Sequence, residues 1–98
     1  MSARPKEMSK THRAMYIAVL EALEAHDCIT GYRIEGQDVM PEWKEGGIDR
    51  ALQELTTNPK PFGLKRSQRA GLLMVLSPKD RKRFDAIMMP RFKERYGL

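Results

Sequence analysis

The sequence predicts an α+β domain, mostly helical: a winged helix-turn-helix with a two- to three-stranded β-wing and a C-terminal helix. Three observations predict this class. Hydrophobic residues from position 48 to 55 recur at helical spacing, which indicates an amphipathic helix. Residues 62–66 and 72–76 are two largely apolar runs around a basic turn that contains glycine. Ser77-Pro78 then has the pattern of a helix start, with a capping serine and a proline at the first position.

The length of 98 residues suits one domain with one modest core. Residues 1–8 are expected to be a flexible basic arm because Pro5 blocks early helix formation, and residues 9–98 a single winged-helix domain. No apolar run approaches the roughly 20 residues of a membrane span, and no signal peptide is evident. We therefore expect no membrane partner and a cytoplasmic location, which a single cysteine, Cys28, also fits.

The first half of the domain is predicted to contain two helices and one extended segment. Ser9 or Thr11 can cap a helix that runs to about Ala25. Residues 27–34 alternate apolar and polar side chains, which predicts a short strand or an extended link. Residues 36–42 are interpreted as a stunted second helix, either interrupted by Pro41 or begun by it.

The second half carries the predicted reading helix, wing and C-terminal helix. A helix follows Gly46-Gly47 and stops near Thr56–Asn58. Residues 62–66 form the first wing strand, 67–71 the turn and 72–76 the return strand. The helix after Ser77 should kink or end at Pro90.

The net charge of +5 is unevenly distributed. Residues 35–54 have a net charge of −4, whereas residues 55–98 contain eleven basic and three acidic residues, a net charge of +8. A basic surface favours an anionic partner, and nucleic acid is the usual one. The acidity around the predicted reading helix opposes phosphate binding, so a second class of partner stays open.

Residues 48–92 resemble the winged-helix half of the MarR family of bacterial transcription regulators. The resemblance rests on Ala51-Leu52-Gln53-Glu54-Leu55, then Gly63-Leu64-Lys65-Arg66, then Val75-Leu76-Ser77-Pro78. It covers under half of the chain, and Asp80 stands where the family has glycine. It implies a transcription regulator that binds double-stranded DNA with its recognition helix and wing.

The expected DNA contacts follow from residue chemistry. Lysine and arginine side chains in the wing can contact phosphates. Arginine and glutamine on a reading helix can pair with the edges of guanine and adenine. Glycine at the start of that helix would let a phosphate approach free N–H groups. The predicted DNA-binding residues are Lys44, Gly47, Arg50, Gln53, Lys65, Arg66, Ser67, Gln68 and Arg69.

Two other functional classes are alternatives to DNA binding. A small winged-helix protein-interaction module, such as a phage- or plasmid-type inhibitor or adaptor, would use the acidic central surface to bind another protein. An enzyme is not expected, because His12 and His26 lack an acid–base or metal-ligand pattern and Gly46-Gly47 is too short for a phosphate loop. We accordingly predict no catalytic residue, no metal and no cofactor.

A homodimer is predicted because small regulators commonly match palindromic DNA sites with two-fold symmetry. Apolar residues of the two terminal helices are the candidate contacts. The predicted dimerisation residues are Met15, Val19, Phe84, Ile87, Met88 and Phe92.

Overall fold

The structure, a computed structural model, describes residues 8–97. It contains four α-helices and one two-stranded sheet, which confirms a small, mostly helical α+β domain. The predicted arm lies outside the described residues except for Met8. In chain order the elements are α1 (Lys10–Ala25), β1 (Ile29–Glu35), β2 (Asp38–Trp43), α2 (Gly47–Thr57), a 3₁₀ turn (Pro61–Gly63), α3 (Arg66–Met74) and α4 (Pro78–Tyr96).

Helices α1, α2 and α4 begin where the sequence predicts. The Ser9 hydroxyl accepts a hydrogen bond from the His12 N–H at 3.2 Å, and Ser77 accepts one from the Asp80 N–H at the same distance. Each serine thereby satisfies one of the unpaired donors of a first helical turn. Helix α4 continues through Pro90 to Tyr96, so Pro90 does not end it.

The segment predicted as a stunted second helix is strand β2, so that prediction is wrong. Strands β1 and β2 form an antiparallel hairpin in which Tyr32 lies opposite Pro41 and Ile34 opposite Val39. Gly36 makes the reversal with a φ of 60°. Proline is tolerated because both strands of a two-stranded sheet are edge strands, where a missing N–H costs no central ladder bond.

The wing predicted over residues 62–76 is also wrong, because this segment folds as the 3₁₀ turn and helix α3. No residue from 66 to 74 is β-branched, and most of them have high helix propensity. The Gln68 side chain accepts a hydrogen bond from the Lys65 N–H at 2.9 Å and stabilises the first turn. Gly71, expected in a turn, is helical and lets the Met15 side chain of α1 pack against α3.

One hydrophobic core joins α1, the hairpin, α2 and α3. Its buried residues are Val19, Leu20, Leu23, Cys28, Ile29, Ala51, Leu52, Leu55, Leu64, Leu72, Val75 and Leu76. Phe84 of α4 packs against this core but stays partly exposed. Helix α4 is therefore an outer layer that contributes little to the interior.

The start of α2 is fixed by close backbone packing at Gly47. The Gly47 N–H donates to the Lys44 carbonyl at 2.9 Å, and the Lys44 N–H donates to the Cys28 carbonyl at 2.9 Å. A Cβ atom on Gly47 would collide with that Cys28 carbonyl oxygen. Only glycine allows α2 to lie this close to the end of the α1–β1 connection.

Two arginines align α4 with α2. Arg83 Nη2 lies 2.6 Å from Asp49 Oδ1 in the first turn of α2, and Arg91 Nη1 donates to the Thr56 carbonyl at 2.6 Å near its end. The order of contacts is the same along both helices. The two helices therefore run side by side in the same direction.

Candidate nucleic-acid interface

An open groove lies between the end of α2, the loop that follows it, α3 and α4. Its volume is about 860 Å³. All four ionisable residues that line it are basic: Lys60, Arg66, Arg69 and Arg95. The other lining residues are Leu55, Thr56, Thr57, Asn58, Pro59, Ala70, Leu73 and Met88. We call this feature the basic groove. Its lining offers charge-assisted hydrogen bonds to an anion.

Two arginines cap the C-terminal end of α2: Arg69, which lines the basic groove, and Arg91, which lies outside it. Arg69 Nη2 donates to the Leu55 carbonyl at 3.2 Å, and Arg91 donates to the Thr56 carbonyl. The last carbonyls of a helix have no intrahelical donor and carry its negative dipole end, so cationic donors stabilise them. Arg69 also lies over the ring of Phe84, with Cζ 5.7 Å from the centroid. Arg69 is thus partly a structural residue.

The residues predicted for the wing tip are close together, but on the first turns of α3. Arg66 and Arg69 line the basic groove, while Lys65 and Ser67 are exposed beside it. The Gln68 carbonyl oxygen is occupied by the Lys65 N–H, which gives Gln68 a capping role. The basic side chains of Lys65, Arg66 and Arg69 are therefore neighbours, as expected, but they lie at the start of helix α3 and not on a β-hairpin.

Arg50 and Gln53 are exposed on α2 but do not line the basic groove. They share one row of the helix with Thr57, since positions three and four apart lie on the same face. Thr57 lines the groove, and its hydroxyl donates to the Gln53 carbonyl at 2.7 Å. The row therefore leads from Arg50 to the groove over about 10 Å, at 1.5 Å per residue.

The predicted role of Gly47 in phosphate binding is wrong, and Lys44 lies before α2 and does not line the basic groove. Lys44 Nζ pairs with Asp27 Oδ1 at 3.1 Å, in the acidic part of the molecule. Gly47 is buried, and its N–H is already bonded to the Lys44 carbonyl. Gly47 serves the tight approach of α2 to Cys28, whereas Gly46 adopts a left-handed conformation with a φ of 77° before the helix, so this helix start offers no free N–H of Gly47 to a ligand.

The acidic residues of α2 are engaged within the fold. Asp49 pairs with Arg83. Glu54 Oε2 accepts hydrogen bonds from Asn58 Nδ2 at 3.1 Å and from the Phe62 N–H at 3.2 Å. The negative charge expected around the reading helix is therefore partly compensated there. The hairpin and the turn after it carry four exposed acids, Glu35, Asp38, Glu42 and Glu45, of which Glu35 pairs with Arg33 at 3.5 Å and Glu42 accepts from the Thr30 hydroxyl.

The predicted dimer contacts divide between the core and the surface. Val19 is fully buried, so its predicted role in dimerisation is wrong. Met15 packs on Gly71, and Phe84 packs against the core. Ile87 and Phe92 are exposed on α4 at 38% and 48%, with Met88 half-buried between them. The apolar face of α1 that carries Met15 and Val19 is therefore part of the interior, because α1 packs against α3.

Sequence analysis does not predict that Lys60 of the loop and Arg91 and Arg95 of the basic final helix lie beside the predicted site. For residues 58–61 the sequence indicates only the end of a helix. In the structure the Asn58 side chain accepts from the Lys60 N–H at 3.0 Å, and this local turn directs the loop along the groove. Proline-rich spacing was the available signal, but it indicates a turn without indicating its direction.

The lone thiol is a core group. Cys28 is fully buried, and burial raises the pKa of its thiol. Within residues 8–97, no cluster of three or more histidine, cysteine, aspartate or glutamate side chains could hold a metal ion. Over the same residues, each helix is too short or too polar to cross a membrane.

Searches against family models, curated proteins and solved structures find no match to this chain. Function is therefore inferred from the geometry of the chain itself.

Proposed function

We propose that this protein is a sequence-specific DNA-binding transcriptional regulator that holds the phosphate backbone of duplex DNA in the basic groove. The observation that carries the proposal is the composition of the groove, whose four ionisable lining residues are all cations. Phosphate contacts of this kind supply most of the affinity of a protein for DNA.

A duplex is favoured over a single strand by the groove lining. Single-strand binders stack unpaired bases on aromatic side chains. Among the described residues, no aromatic side chain lines the basic groove. Cations without stacking platforms suit a backbone whose bases remain paired. This proposal does not rest on the MarR resemblance, because residues 62–76, which the resemblance makes a wing, fold as the 3₁₀ turn and helix α3.

One feature supports reading of base edges. The row of Arg50 and Gln53 leads to the groove, so a duplex seated there could present bases to both side chains. In a winged arrangement, hairpin β1–β2 would take the place of the wing. Its tip carries Glu35 and Asp38, so it would face away from phosphates.

A second candidate function is a protein-interaction module. The observation that favours it is the set of four exposed acids on the hairpin and the turn after it. Such a surface would bind a basic patch of another protein. It lies outside the basic groove, so the two candidates use different residues and separate variants can test them.

The test of DNA binding is fluorescence anisotropy with a random-sequence duplex at rising salt. Four phosphate contacts predict a loss of affinity of about 100-fold between 50 and 200 mM salt. The double variant Lys60→Glu with Arg66→Glu should abolish binding. Its matched control, Lys10→Glu with Arg13→Glu on α1, makes the same charge change away from the groove and should retain binding.

An equal loss of DNA affinity in both double variants would show that binding depends only on net charge, and this would overturn the assignment of the basic groove as the DNA-binding surface. No binding by the unaltered protein at low salt would overturn the DNA proposal. Charge reversal of Glu35 and Asp38 would then be the next test, read out by binding to a basic protein surface.

Sequence specificity has a separate test in selection of preferred duplexes from a random pool. Replacing Arg50 and Gln53 by alanine should relax the selected sequence, while affinity for random DNA stays nearly unchanged. An unchanged preference would exclude this row of α2 as the reading surface.

A further inference from the structure

A second concavity lies on the outer side of α4, away from the core. It measures about 280 Å³ and is lined by α4 residues alone: Asp85, Met88, Met89, Arg91, Phe92 and Arg95. Met89 and Phe92 are about half exposed, at 51% and 48%. Exposed apolar side chains grouped on one helix face are characteristic of an interaction surface.

Four of these residues follow the spacing of a coiled-coil seam. Asp85, Met88, Phe92 and Arg95 are separated by steps of three, four and three residues. Alternating steps of three and four keep side chains along one stripe of a helix, as in the a and d positions of a heptad repeat. We call these four residues the α4 seam. It has an acid at its first position, a base at its last and two apolar residues between them.

The α4 seam of one copy is complementary to the same seam of a second copy that runs in the opposite direction. In an antiparallel pair of α4 helices, residues whose numbers sum to 180 lie at the same level. Asp85 then lies opposite the partner's Arg95, and Met88 lies opposite the partner's Phe92. Two-fold symmetry repeats both contacts, which gives two ion pairs around two methionine–aromatic contacts.

We propose that α4 seams of two copies of this chain pair antiparallel in this register to form a homodimer. The occupant is a second copy because the seam supplies both halves of each contact. A parallel pair would place Asp85 against Asp85 and Arg95 against Arg95, which repel. The interface is small, about three helical turns, so a weak dimer with a dissociation constant in the micromolar range is expected.

The pairing of α4 helices does not rest on the proposed DNA binding, but the two surfaces share two residues. Met88 and Arg95 line both the concavity on α4 and the basic groove. Asp85 lines only the concavity on α4, which makes it the cleaner position to change. Measuring association without DNA keeps failure of the dimer distinct from failure of DNA binding.

The test is sedimentation velocity over a range of protein concentrations up to about 100 μM, well above a micromolar dissociation constant. Asp85→Arg alone and Arg95→Asp alone should each weaken the dimer at least tenfold, because each places like charges together. The double variant, Asp85→Arg with Arg95→Asp, restores opposite charges and should recover the dimer. A merely unfolded variant would not be rescued by the second change.

Matched controls use residues of α4 outside the concavity. Glu94→Arg and Lys93→Asp make the same changes of charge and should leave the sedimentation of the dimer unchanged. Phe92→Glu, with folding checked by circular dichroism, should give monomers. An unaltered protein that stays monomeric over the whole range, or a double variant that stays monomeric, would overturn the proposal.

Discussion

The acidic half of the molecule, residues 10–57, and the basic half, residues 58–97, use their hydrophobic residues differently. The acidic half has a net charge of −4 and supplies eight of the twelve buried core residues. The basic half has a net charge of +8 and contains all four of the exposed large hydrophobics: Met74, Ile87, Met89 and Phe92. The first half mainly builds the interior, whereas the second keeps charge and apolar surface available to partners.

Arginines of the basic half join it to α2 of the acidic half. Arg69 and Arg91 bind the last carbonyls of that helix, and Arg83 pairs with Asp49 near its start. Part of the positive charge is therefore structural. Lys60 and Arg66 line the same groove without an ion pair to the described residues, which makes them the better candidates for an external anion.

The largest expected effect belongs to the acidic half. Gly47→Ala places a methyl group on the Cys28 carbonyl and should destabilise the fold by about 3 kcal/mol, because backbone must move to relieve the clash. Urea unfolding followed by circular dichroism measures this. Gly31→Ala is the control, since a Cβ there meets no atom within 4 Å. Equal destabilisation of both variants would contradict the packing role of Gly47.

A smaller effect distinguishes structural from available arginines in the basic half. Arg69→Ala removes the hydrogen bond to the Leu55 carbonyl and the stacking on Phe84, and should cost about 1–2 kcal/mol of unfolding free energy. Arg66→Ala should change stability by less than about 0.5 kcal/mol. Chemical denaturation of both variants checks the difference. Arg66→Ala should instead weaken DNA binding. A larger loss of stability in Arg66→Ala than in Arg69→Ala would contradict the assignment of Arg69 as structural and Arg66 as available to DNA.

Alkaline pH should produce a still smaller loss of stability through Cys28. Burial raises the pKa of this thiol above its ordinary value of 9.0, so the folded state keeps the proton longer than the unfolded state. Its contribution is fully present below about pH 9 and is lost as pH rises through the raised pKa of the folded state. Thermal unfolding from pH 7 to 10.5 should show a decline that Cys28→Ala reduces. An identical decline in both proteins would assign it to other groups.

The smallest effect is expected at the ion pair between the halves. Arg83 pairs with Asp49 and Asp80, and these carboxylates raise the pKa of its guanidinium. The side chain of Arg83 remains 48% exposed, so solvent and salt screen the attraction. Arg83→Gln should lower the midpoint of thermal unfolding by about 2 °C at low salt and by less at high salt. A large, salt-independent decrease would indicate a packing role for Arg83.

The elements predicted correctly are those with strong local signals. Serine caps and helical spacing located α1, α2 and α4, and alternation located β1. Helix α3 was missed because the apolar run of residues 72–76 is compatible with either strand or helix when read alone. Strand β2 was missed because a proline argues against a strand, and only the pairing of β2 with β1 in a two-stranded sheet makes Pro41 acceptable there.

The sequence predicted several of the basic residues at the candidate site, but it did not predict the helices and the loop that hold them. Lys65, Arg66 and Arg69 are neighbours in sequence, so their proximity did not depend on the fold. Lys60 joins them through the turn that Asn58 stabilises, and Arg95 joins them only through the packing of α4 beside α2, which no local pattern encodes. The burial of Gly47 likewise depends on a distant backbone oxygen.

The carboxylate of Glu54 has a consequence for where this chain can change length. It accepts hydrogen bonds from both Asn58 and the Phe62 N–H and thereby forms a clasp, a pair of contacts that keeps the loop against the end of α2. Extra residues between those two anchors would have to bulge outward or open the clasp, and α3 would lose its fixed starting point. Among residues 8–97, no side chain holds the reversal between β1 and β2 in this way, so evolution or design could lengthen the molecule there at little cost.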